Sequence, residues 1–299
     1  MRLLLLGCTG FVGKELVPQL LQSGYQLTLV SRRLPRGYEA ERSNGRLYWL
    51  QLDPAQPGSW QEPALKDALS QADGVVNLAG EPIAEQRWTP SHLKLLESSR
   101  LETTRLLVEA MADLKTPPQM LVNASAIGFY GTSREACFHE SSAAGSDFLA
   151  SLCERWEAAA AAVPSATRLV TFRIGIVIAA GGGALGKMLL PFKMGAGGPM
   201  GSGKQWMSWI SLDDEIYAIH HLLMETGSKG VYNLTAPNPV RQKGFAKTLG
   251  RVLRRPAFAP LPGFVIKILF GEMGVKLTLE LTLSLCYLGC RLHFAIHFY

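Results

Sequence analysis

Cysteine is scarce in this 299-residue chain, and its five cysteines are scattered along the sequence. No CxxC pair and no histidine at zinc-ligand spacing occur, so the pattern predicts neither a metal site nor a disulfide. This pattern is typical of reduced thiols in the cytoplasm.

The chain also has no concentration of charge of one sign, because 30 basic and 24 acidic residues give a net charge of +6 without a run of five like charges. A dedicated nucleic-acid surface is therefore not expected.

Uninterrupted apolar stretches long enough to cross a membrane do not occur, so we expect no integral membrane span. The leucine run from Leu3 to Leu6 is too short for the core of a signal peptide and leads directly into glycines. It predicts a buried strand. With 47% hydrophobic residues, the chain has enough apolar material for one large α/β domain and a smaller appendage.

Short apolar runs alternate with longer helical patterns over the first 180 residues or so, which is the rhythm of a parallel sheet with crossover helices. The predicted strands are Arg2–Leu6, Leu27–Val30, Leu47–Leu52, Gly74–Asn77, Met120–Ala124 and Leu169–Gly175. The predicted helices are Val12–Gln22, Ala64–Gln71, Glu97–Ala112, Asp147–Ala162 and Asp213–Glu225. We therefore predict an α/β fold of the Rossmann type, a doubly wound parallel sheet.

The stretch "RLLLLGCTGFVG", residues 2–13, places Gly7, Gly10 and Gly13 between a predicted strand and a predicted helix. In this context a dinucleotide's pyrophosphate can lie on exposed N–H groups at the positive end of a helix. The three glycines would serve a tight turn, a close approach of the backbone to phosphate, and the packing of helix on strand. An ordinary tight turn is the alternative.

The second predicted strand leads into Ser31, Arg32 and Arg33, without an acidic residue. A site that prefers NAD(H) places an acid near this strand end to accept from ribose hydroxyls, whereas a 2′-phosphate favours a guanidinium. The sequence therefore favours NADP(H), with two solvated loop arginines as the alternative. Asp53, after the third strand, could lie beside the adenine or serve only its turn before Pro54.

Three stretches together resemble the extended short-chain dehydrogenase/reductase superfamily: "GCTGFVG" (7–13), "VVNLAGE" (75–81) and "NASAIGFYG" (123–131). Four more look like its atypical branch of epimerase family proteins, which is NAD-dependent epimerase/dehydratase-like: "NLAGEPI" (77–83), "SSRLETTRLL" (98–107), "RIGIVIAAGGGALGKMLLPF" (173–192) and "GGPMGSGKQWMSWI" (197–210). The resemblance implies an NADP-binding Rossmann domain over residues 1–235 and a small C-terminal substrate lobe over residues 236–299.

The resemblance also implies a set of NADP(H) contacts, which are Gly7, Thr9, Gly10, Phe11, Val12, Gly13, Ser31, Arg32, Leu78, Ala79, Arg100 and Val177. Gly80 is added because it would let the backbone come close to a ligand at the carboxyl edge of the sheet, where open α/β folds bind ligands. Arg100 has two open roles, either a phosphate contact or a surface pair with Glu97 or Glu102.

Reductases and epimerases of the superfamily use a Tyr, a Lys four residues later, and a Ser at the end of the preceding strand. Ser125 stands at the Ser position, but our alignment places Phe148 and Leu152 where the Tyr and Lys would be. Phe cannot exchange a proton, and Leu carries no charge that would lower a phenol pKa. Tyr130 is the candidate substitute, and a buried aromatic at the strand exit is its alternative role.

The other candidate sites rest on weaker sequence patterns. Gly181–Lys187 and Gly198–Lys204 both fit GxxxxGK, but neither is followed by the Ser or Thr that a P-loop needs. Trp206 and Trp209 would wall a substrate pocket or pack the second lobe. The tail departs from the resembled pattern after about residue 274, and its leucines at every second position from 277 to 285 predict a strand.

Two functions follow from these observations. The first is an NADP(H)-dependent oxidoreductase or epimerase-like enzyme acting on an unidentified small molecule, with Ser125 and Tyr130 as its catalytic residues. The second is a non-catalytic NADP(H)-binding regulatory or redox-sensing protein, which the Phe148 and Leu152 positions favour. The oligomeric state stays open, with a homodimer as one alternative.

Overall fold

A seven-stranded parallel sheet forms the centre of the protein in the computed structural model, which describes residues 1–33, 37–133, 136–258, 260 and 284–285. The strands in chain order are β1 (Arg2–Leu6), β2 (Gln26–Ser31), β3 (Leu47–Gln51), β4 (Gly74–Asn77), β5 (Met120–Ala126), β6 (Cys137–Phe138), β7 (Arg168–Ile174), β8 (Ile176–Ala179), β9 (Trp206–Met207), β10 (Trp209–Ser211), β11 (Gly230–Leu234), β12 (Val240–Arg241) and β13 (Ser284–Leu285). The order across the main sheet is β11-β7-β5-β4-β1-β2-β3, and every neighbouring pair in it is parallel.

The helices are α1 (Gly13–Gln22), α2 (Glu39–Ser43), α3 (Pro63–Ser70), α4 (Pro90–Ala112), α5 (Phe148–Ala161), α6 (Gly183–Lys193), α7 (Leu212–Met224) and α8 (Gln242–Leu253). Two 3₁₀ turns cover Pro57–Gln61 and Ile127–Tyr130. This alternation of strands and crossover helices around a parallel sheet is the doubly wound arrangement, so the predicted Rossmann-type fold is confirmed.

Strand β1 shows why the sheet forms where it does. Leu3 and Leu5 belong to one buried cluster, and Leu4 and Leu6 belong to another on the opposite face. All four are almost completely buried, as expected for a strand covered by helices on both sides. Burial of each leucine stabilises the fold by about 1.5–3 kcal/mol relative to an exposed side chain.

The predicted strands and helices are found, but several boundaries differ. Helix α4 starts at Pro90 rather than Glu97, because Thr89 caps it by accepting a hydrogen bond from the backbone N–H of His92. Strand β5 runs two residues further than predicted, to Ala126. Helices α6 and α8 and strand β11 lie where no element is predicted, and α6 forms despite its glycine-rich surroundings.

Two short strand pairs lie outside the main sheet. Strand β12, in the predicted C-terminal lobe, pairs antiparallel with β9, and β8 pairs in parallel with β10. Of the predicted tail strand, the structure describes only Ser284–Leu285, which pairs in parallel with Cys137–Phe138. The remainder of that predicted strand is outside the described residues.

The cysteines depart from expectation at one position. Cys8 and Cys153 are free and buried, but Cys137 is disulfide-bonded, so the prediction of reduced thiols throughout is wrong there.

Among the helices that the structure describes, none is long and apolar enough to cross a membrane.

Candidate functional site

The glycine loop between β1 and α1 packs closely against the backbone that follows β4. Gly7 has φ +73°, and a Cβ placed there would lie 2.5 Å from the backbone of Leu78 and Ala79. A Cβ on Gly13 would lie 2.3 Å from the Cα of Cys8. Both positions therefore require glycine, one for the turn and one for the packing of helix on strand.

The middle of this loop is open to a ligand. Gly10 is exposed, and Thr9, Phe11 and Val12 are partly buried around it. The first turn of α1 has no side-chain cap at Val12, so its backbone N–H groups face the loop without a capping side chain. An uncapped helix start beneath a glycine turn fits a phosphate group.

Asn77, at the end of β4, holds the next segment in place. Its Nδ2 donates to Asn123 Oδ1 at 2.7 Å and to Thr104 Oγ1 at 2.9 Å, while its Oδ1 accepts from the backbone N–H of Ala79 at 3.1 Å. The amide thus fixes the backbone from Leu78 onward against the glycine loop. Asn77 was not among the predicted site residues, although a polar Asn that ends the otherwise apolar strand "GVVN" is a signal that the sequence carries.

Arg100 is a buried residue of α4 and supports the loop that follows β4. Its Nη2 donates to the carbonyl of Glu81 at 3.0 Å, and its Nη1 donates to the carbonyl of Leu96 at 3.1 Å. Burial lowers the pKa of the guanidinium. The surface pair that was one of its two expected roles does not form, because Glu97 pairs with Arg155 and Glu102 with Arg105.

The guanidinium is also packed under Gly80. A Cβ on Gly80 would lie 2.9 Å from Cζ of Arg100, so glycine is what allows the arginine to lie flat against this backbone. The structure therefore places Arg100 beneath the predicted cofactor-binding backbone.

Ser31 and Arg32 lie at the end of β2 but have different surroundings. Ser31 is buried, and its hydroxyl donates to the carbonyl of Arg33 at 2.8 Å and accepts from Nε1 of Trp49 at 2.9 Å. Arg32 has a side chain that is 62% exposed and a Nη2 atom 3.4 Å from the carboxylate of Glu81. Of the two, only Arg32 has an exposed charged side chain that a ligand could reach.

Phe11 and Val177 both border Gly183 at the start of α6. Both pack on the main core, and Cβ atoms on Gly182 and Gly183 would lie 2.8–2.9 Å from the Phe11 ring. The start of α6 is thereby fitted over the glycine loop, which brings two of the predicted cofactor contacts together. Lys187, the lysine of the first GxxxxGK match, lies within α6 and donates to the carbonyl of Ala84.

A buried polar cluster lies at the carboxyl ends of β5 and β7. Ser125 and Arg173 are register partners, and both reach Glu157 of α5. The Ser125 hydroxyl donates to Oε1 at 2.6 Å, while Arg173 donates from Nε to Oε1 at 2.8 Å and from Nη2 to Oε2 at 2.7 Å. Burial works against the charge of Arg173, but its hydrogen bonds to Glu157 raise the guanidinium pKa overall.

Tyr130 belongs to the same cluster. Its hydroxyl donates to Oδ1 of Asn233 at 2.7 Å and accepts from Nη1 of Arg173 at 2.8 Å. Burial raises the pKa of the phenol, and the Arg173 guanidinium opposes that rise. Arg173 thus lies beside Tyr130 as a cation, which favours the charged form of the phenol.

Arg173, Glu157 and Asn233 were not among the predicted site residues. An arginine inside the strand sequence "RLVTFRI" is the signal that sequence reasoning could have used, because a charged residue in a buried strand needs a partner.

Helix α5 presents a different face to Ser125 than predicted. Phe148 packs edge-on against Trp88, which precedes α4, and Trp156 donates from Nε1 to Thr104 of α4, so these two residues face α4 and the segment before it. The face towards β5 carries Leu149, Cys153 and Glu157 instead. Cβ of Leu149 and Sγ of Cys153 both lie near Gly128, and Cys153 hydrogen-bonds Ser125.

This corrects the assignment of Phe148 and Leu152 to the Tyr and Lys positions. Leu149 and Cys153 occupy the face opposite Ser125, one residue later along the helix. Neither residue supplies a Tyr/Lys pair.

The two tryptophans contact residues of the predicted C-terminal lobe. The Arg241 guanidinium lies 3.7 Å from the centre of the Trp206 ring, and Trp209 donates from Nε1 to the carbonyl of Asn238 at 3.1 Å. Ser211 caps α7 by accepting a hydrogen bond from the backbone N–H of Asp214. The tryptophan contacts thus fit the packing role more directly than a pocket wall.

The comparisons with known proteins agree with this geometry. The model of the NAD dependent epimerase/dehydratase family matches residues 3–235. The Epimerase family protein SDR39U1 homolog, chloroplastic, of Arabidopsis thaliana is 39% identical over 276 residues, which cover 92% of this chain and 77% of the relative. Human Epimerase family protein SDR39U1 is 38% identical over 283 residues, which cover 94% and 90%. The crystal structure of human SDR39U1 (isoform 2) with NADPH superposes with a TM-score of 0.81 at 36% identity, covering 96% of this chain and 91% of that one.

Proposed function

The chain belongs to the NAD dependent epimerase/dehydratase family, and from that premise we propose that it is an NADP(H)-dependent oxidoreductase or epimerase-like enzyme acting on a small molecule. The observation that carries the proposal is the Gly7–Gly13 loop, which is pressed against the end of β4 with Arg32 at its side. The human relative that superposes on the chain was crystallised with NADPH.

In this proposal the cofactor lies across the carboxyl end of β1. The pyrophosphate would lie on the backbone N–H groups at residues 9–13, and the backbone at Leu78–Gly80 would line the groove. Arg32 would hold the 2′-phosphate. Phe11 and Val177 would wall the opposite side, under the start of α6. Ser31 would line the site without hydrogen-bonding the cofactor, because its hydroxyl already donates to Arg33 and accepts from Trp49.

The bound nicotinamide supplies hydride transfer, and the chain must then supply proton exchange. Ser125 and Tyr130 are the proposed catalytic residues, with Arg173 as the cation beside the phenol. Both residues are nearly inaccessible, at 1% and 3% exposure, and both hydroxyls already have internal partners. A substrate oxygen would therefore have to replace Glu157 at Ser125 or Asn233 at Tyr130.

A second candidate function rests on that last observation. If no substrate oxygen replaces these partners, the cluster is a structural ion pair, and the protein binds NADP(H) without turning a substrate over. Redox sensing through Cys8 or Cys153, the free cysteines that the structure describes, does not fit this alternative. Burial raises the pKa of Cys153 to about 11 and that of Cys8 further, so both stay protonated thiols with little nucleophilicity.

The test combines titration with turnover. NADPH and NADH are titrated against the full chain by fluorescence or calorimetry, and NADPH is then followed at 340 nm with panels of carbonyl compounds and sugar nucleotides. Turnover that falls at least tenfold in both Ser125→Ala and Tyr130→Phe, with unchanged NADPH affinity, supports the enzyme. NADPH binding without turnover on any panel supports the non-catalytic candidate, and no NADPH binding overturns both.

A further inference from the structure

One ion pair spans the groove in which the cofactor is proposed to lie. Arg32 follows β2 and Glu81 follows β4, and the two strands lie on opposite sides of β1. Neighbouring strands are about 4.8 Å apart, so the pair bridges roughly two strand spacings above the turn that contains Gly7. The residues are 49 positions apart in sequence, and the fold brings them together.

The two partners differ in how firmly they are held. The backbone N–H of Glu81 donates to Oγ of Ser99 at 2.9 Å, and its carbonyl accepts from Arg100 at 3.0 Å, so α4 fixes this residue on both sides. The Glu81 side chain is only 14% exposed. Arg32 is largely exposed and is attached to Glu81 at 3.4 Å by one contact. The carboxylate is thus a fixed anion, and the guanidinium is a cation free to leave it.

A cofactor carrying a 2′-phosphate brings a second anion to the same arginine. A phosphate accepts two parallel hydrogen bonds from a guanidinium, whereas the observed carboxylate contact is single and long. A cofactor with a free 2′-hydroxyl places no negative charge at this position, so it offers Arg32 no anion that competes with Glu81.

We propose that Glu81 is a specificity-determining residue that competes with the 2′-phosphate for Arg32. This inference rests on the proposed function. Before the cofactor binds, Glu81 keeps Arg32 over the cofactor site, and NADP(H) binding exchanges this carboxylate for the 2′-phosphate as the anionic partner of Arg32. Glu81 therefore weakens NADP(H) binding, leaves NAD(H) binding nearly unchanged, and moderates the preference between the two cofactors.

The test is a double-mutant cycle on cofactor affinity. Dissociation constants for NADPH and NADH are measured on the wild type, Glu81→Gln, Arg32→Ala and the double variant. Glu81→Gln keeps the backbone contacts and the side-chain shape while removing the charge. An exposed ion pair is worth little, so we expect Glu81→Gln to tighten NADPH about two- to fivefold and to change NADH less than twofold. The gain should shrink as salt is raised.

Glu102→Gln is the matched control, because it removes the same charge from the exposed pair with Arg105 on α4. We expect no change in either affinity for that variant. In the Arg32→Ala background, Glu81→Gln should tighten NADPH by less than half as much as in the wild type. A full gain there would mean that Glu81 repels the phosphate directly, which overturns the competition for Arg32.

Other results also decide the question. Unchanged NADPH affinity in Glu81→Gln overturns the inference alone, provided that the wild type binds NADPH. Weaker NADH binding in Glu81→Gln also overturns it, because Glu81 would then be holding a ribose hydroxyl. If the wild type binds neither cofactor, the proposed function fails, and this inference fails with it.

Discussion

Ser125 and Arg173 are directly paired across β5 and β7, and both donate to the same carboxylate oxygen of Glu157. The arginine also lies with its Cζ 3.4 Å from the centre of the Phe129 ring and donates to Tyr130. A single guanidinium therefore joins a helix, two strand ends and the 3₁₀ turn after β5. Its charge is almost fully removed from water, so its partners decide whether the cluster is stable.

Removing the carboxylate charge should destabilise the fold. Glu157→Gln leaves the buried Arg173 without its counter-ion, and breaking a buried pair in this way typically costs about 3–5 kcal/mol. We expect a loss of about 2–4 kcal/mol in the free energy of unfolding, measured by urea denaturation. Glu109→Gln, which breaks an exposed pair with Arg105, should change it by less than about 0.5 kcal/mol. Equal effects in the two variants would contradict a buried, energetically important cluster.

Gly13 should be intolerant of a side chain. A Cβ there would lie 2.3 Å from Cys8, and backbone atoms cannot move away without displacing the whole turn. We expect Gly13→Ala to destabilise the protein by about 2–3 kcal/mol or more and to abolish NADPH binding. Gly58→Ala is the control, since a Cβ at Gly58 meets nothing within 4 Å. NADPH binding retained by Gly13→Ala would show that the loop does not hold the cofactor.

Much of the fold is predictable from the sequence, because strands buried on both faces are continuous apolar runs and β1 is such a run. The buried polar cluster around Arg173 is not predictable in this way. Glu157 is 32 residues from Ser125 and 16 from Arg173, and the three meet only through strand register and helix phase. Each residue rotates an α-helix by about 100°. An alignment that is one position too early therefore places Phe148 and Leu152 towards Ser125, where the structure has Leu149 and Cys153.

Arg32 should determine which cofactor binds more tightly. Its guanidinium is the exposed cation at the end of β2, and a charge-assisted bond to a 2′-phosphate is worth about 1.5–3 kcal/mol. We expect Arg32→Ala to weaken NADPH about 10- to 100-fold and to leave NADH within about twofold, both measured by titration. Arg42→Ala, on the exposed helix α2, should change neither affinity. A preference for NADPH that survives Arg32→Ala would contradict the assignment of the 2′-phosphate to this residue.

Glu215 should make the stability of the protein depend on pH. It is fully buried in the first turn of α7, and neither carboxylate oxygen has a hydrogen-bond partner within the described structure. Burial raises its pKa from 4.5 to about 8. The folded state therefore binds this proton more tightly than the unfolded state, and the contribution of Glu215 to stability falls as pH rises from about 4.5 to about 8. A shift of this size corresponds to about 4–5 kcal/mol across that window, as an order of magnitude.

The measurement compares the free energy of unfolding of the wild type and Glu215→Met between pH 5 and pH 9. Methionine has a similar length and no charge to desolvate, so we expect the variant to be the more stable protein at pH 8 by about 2–4 kcal/mol. The difference between the two curves should narrow as pH falls towards 5, because the carboxyl of the unfolded wild type then also becomes protonated and folding no longer requires proton uptake. Tyr217→Met changes an exposed side chain of the same helix and should leave the pH dependence as it is in the wild type. A constant difference between wild type and Glu215→Met would show that Glu215 is not protonated on folding, and that its burial is compensated by a partner.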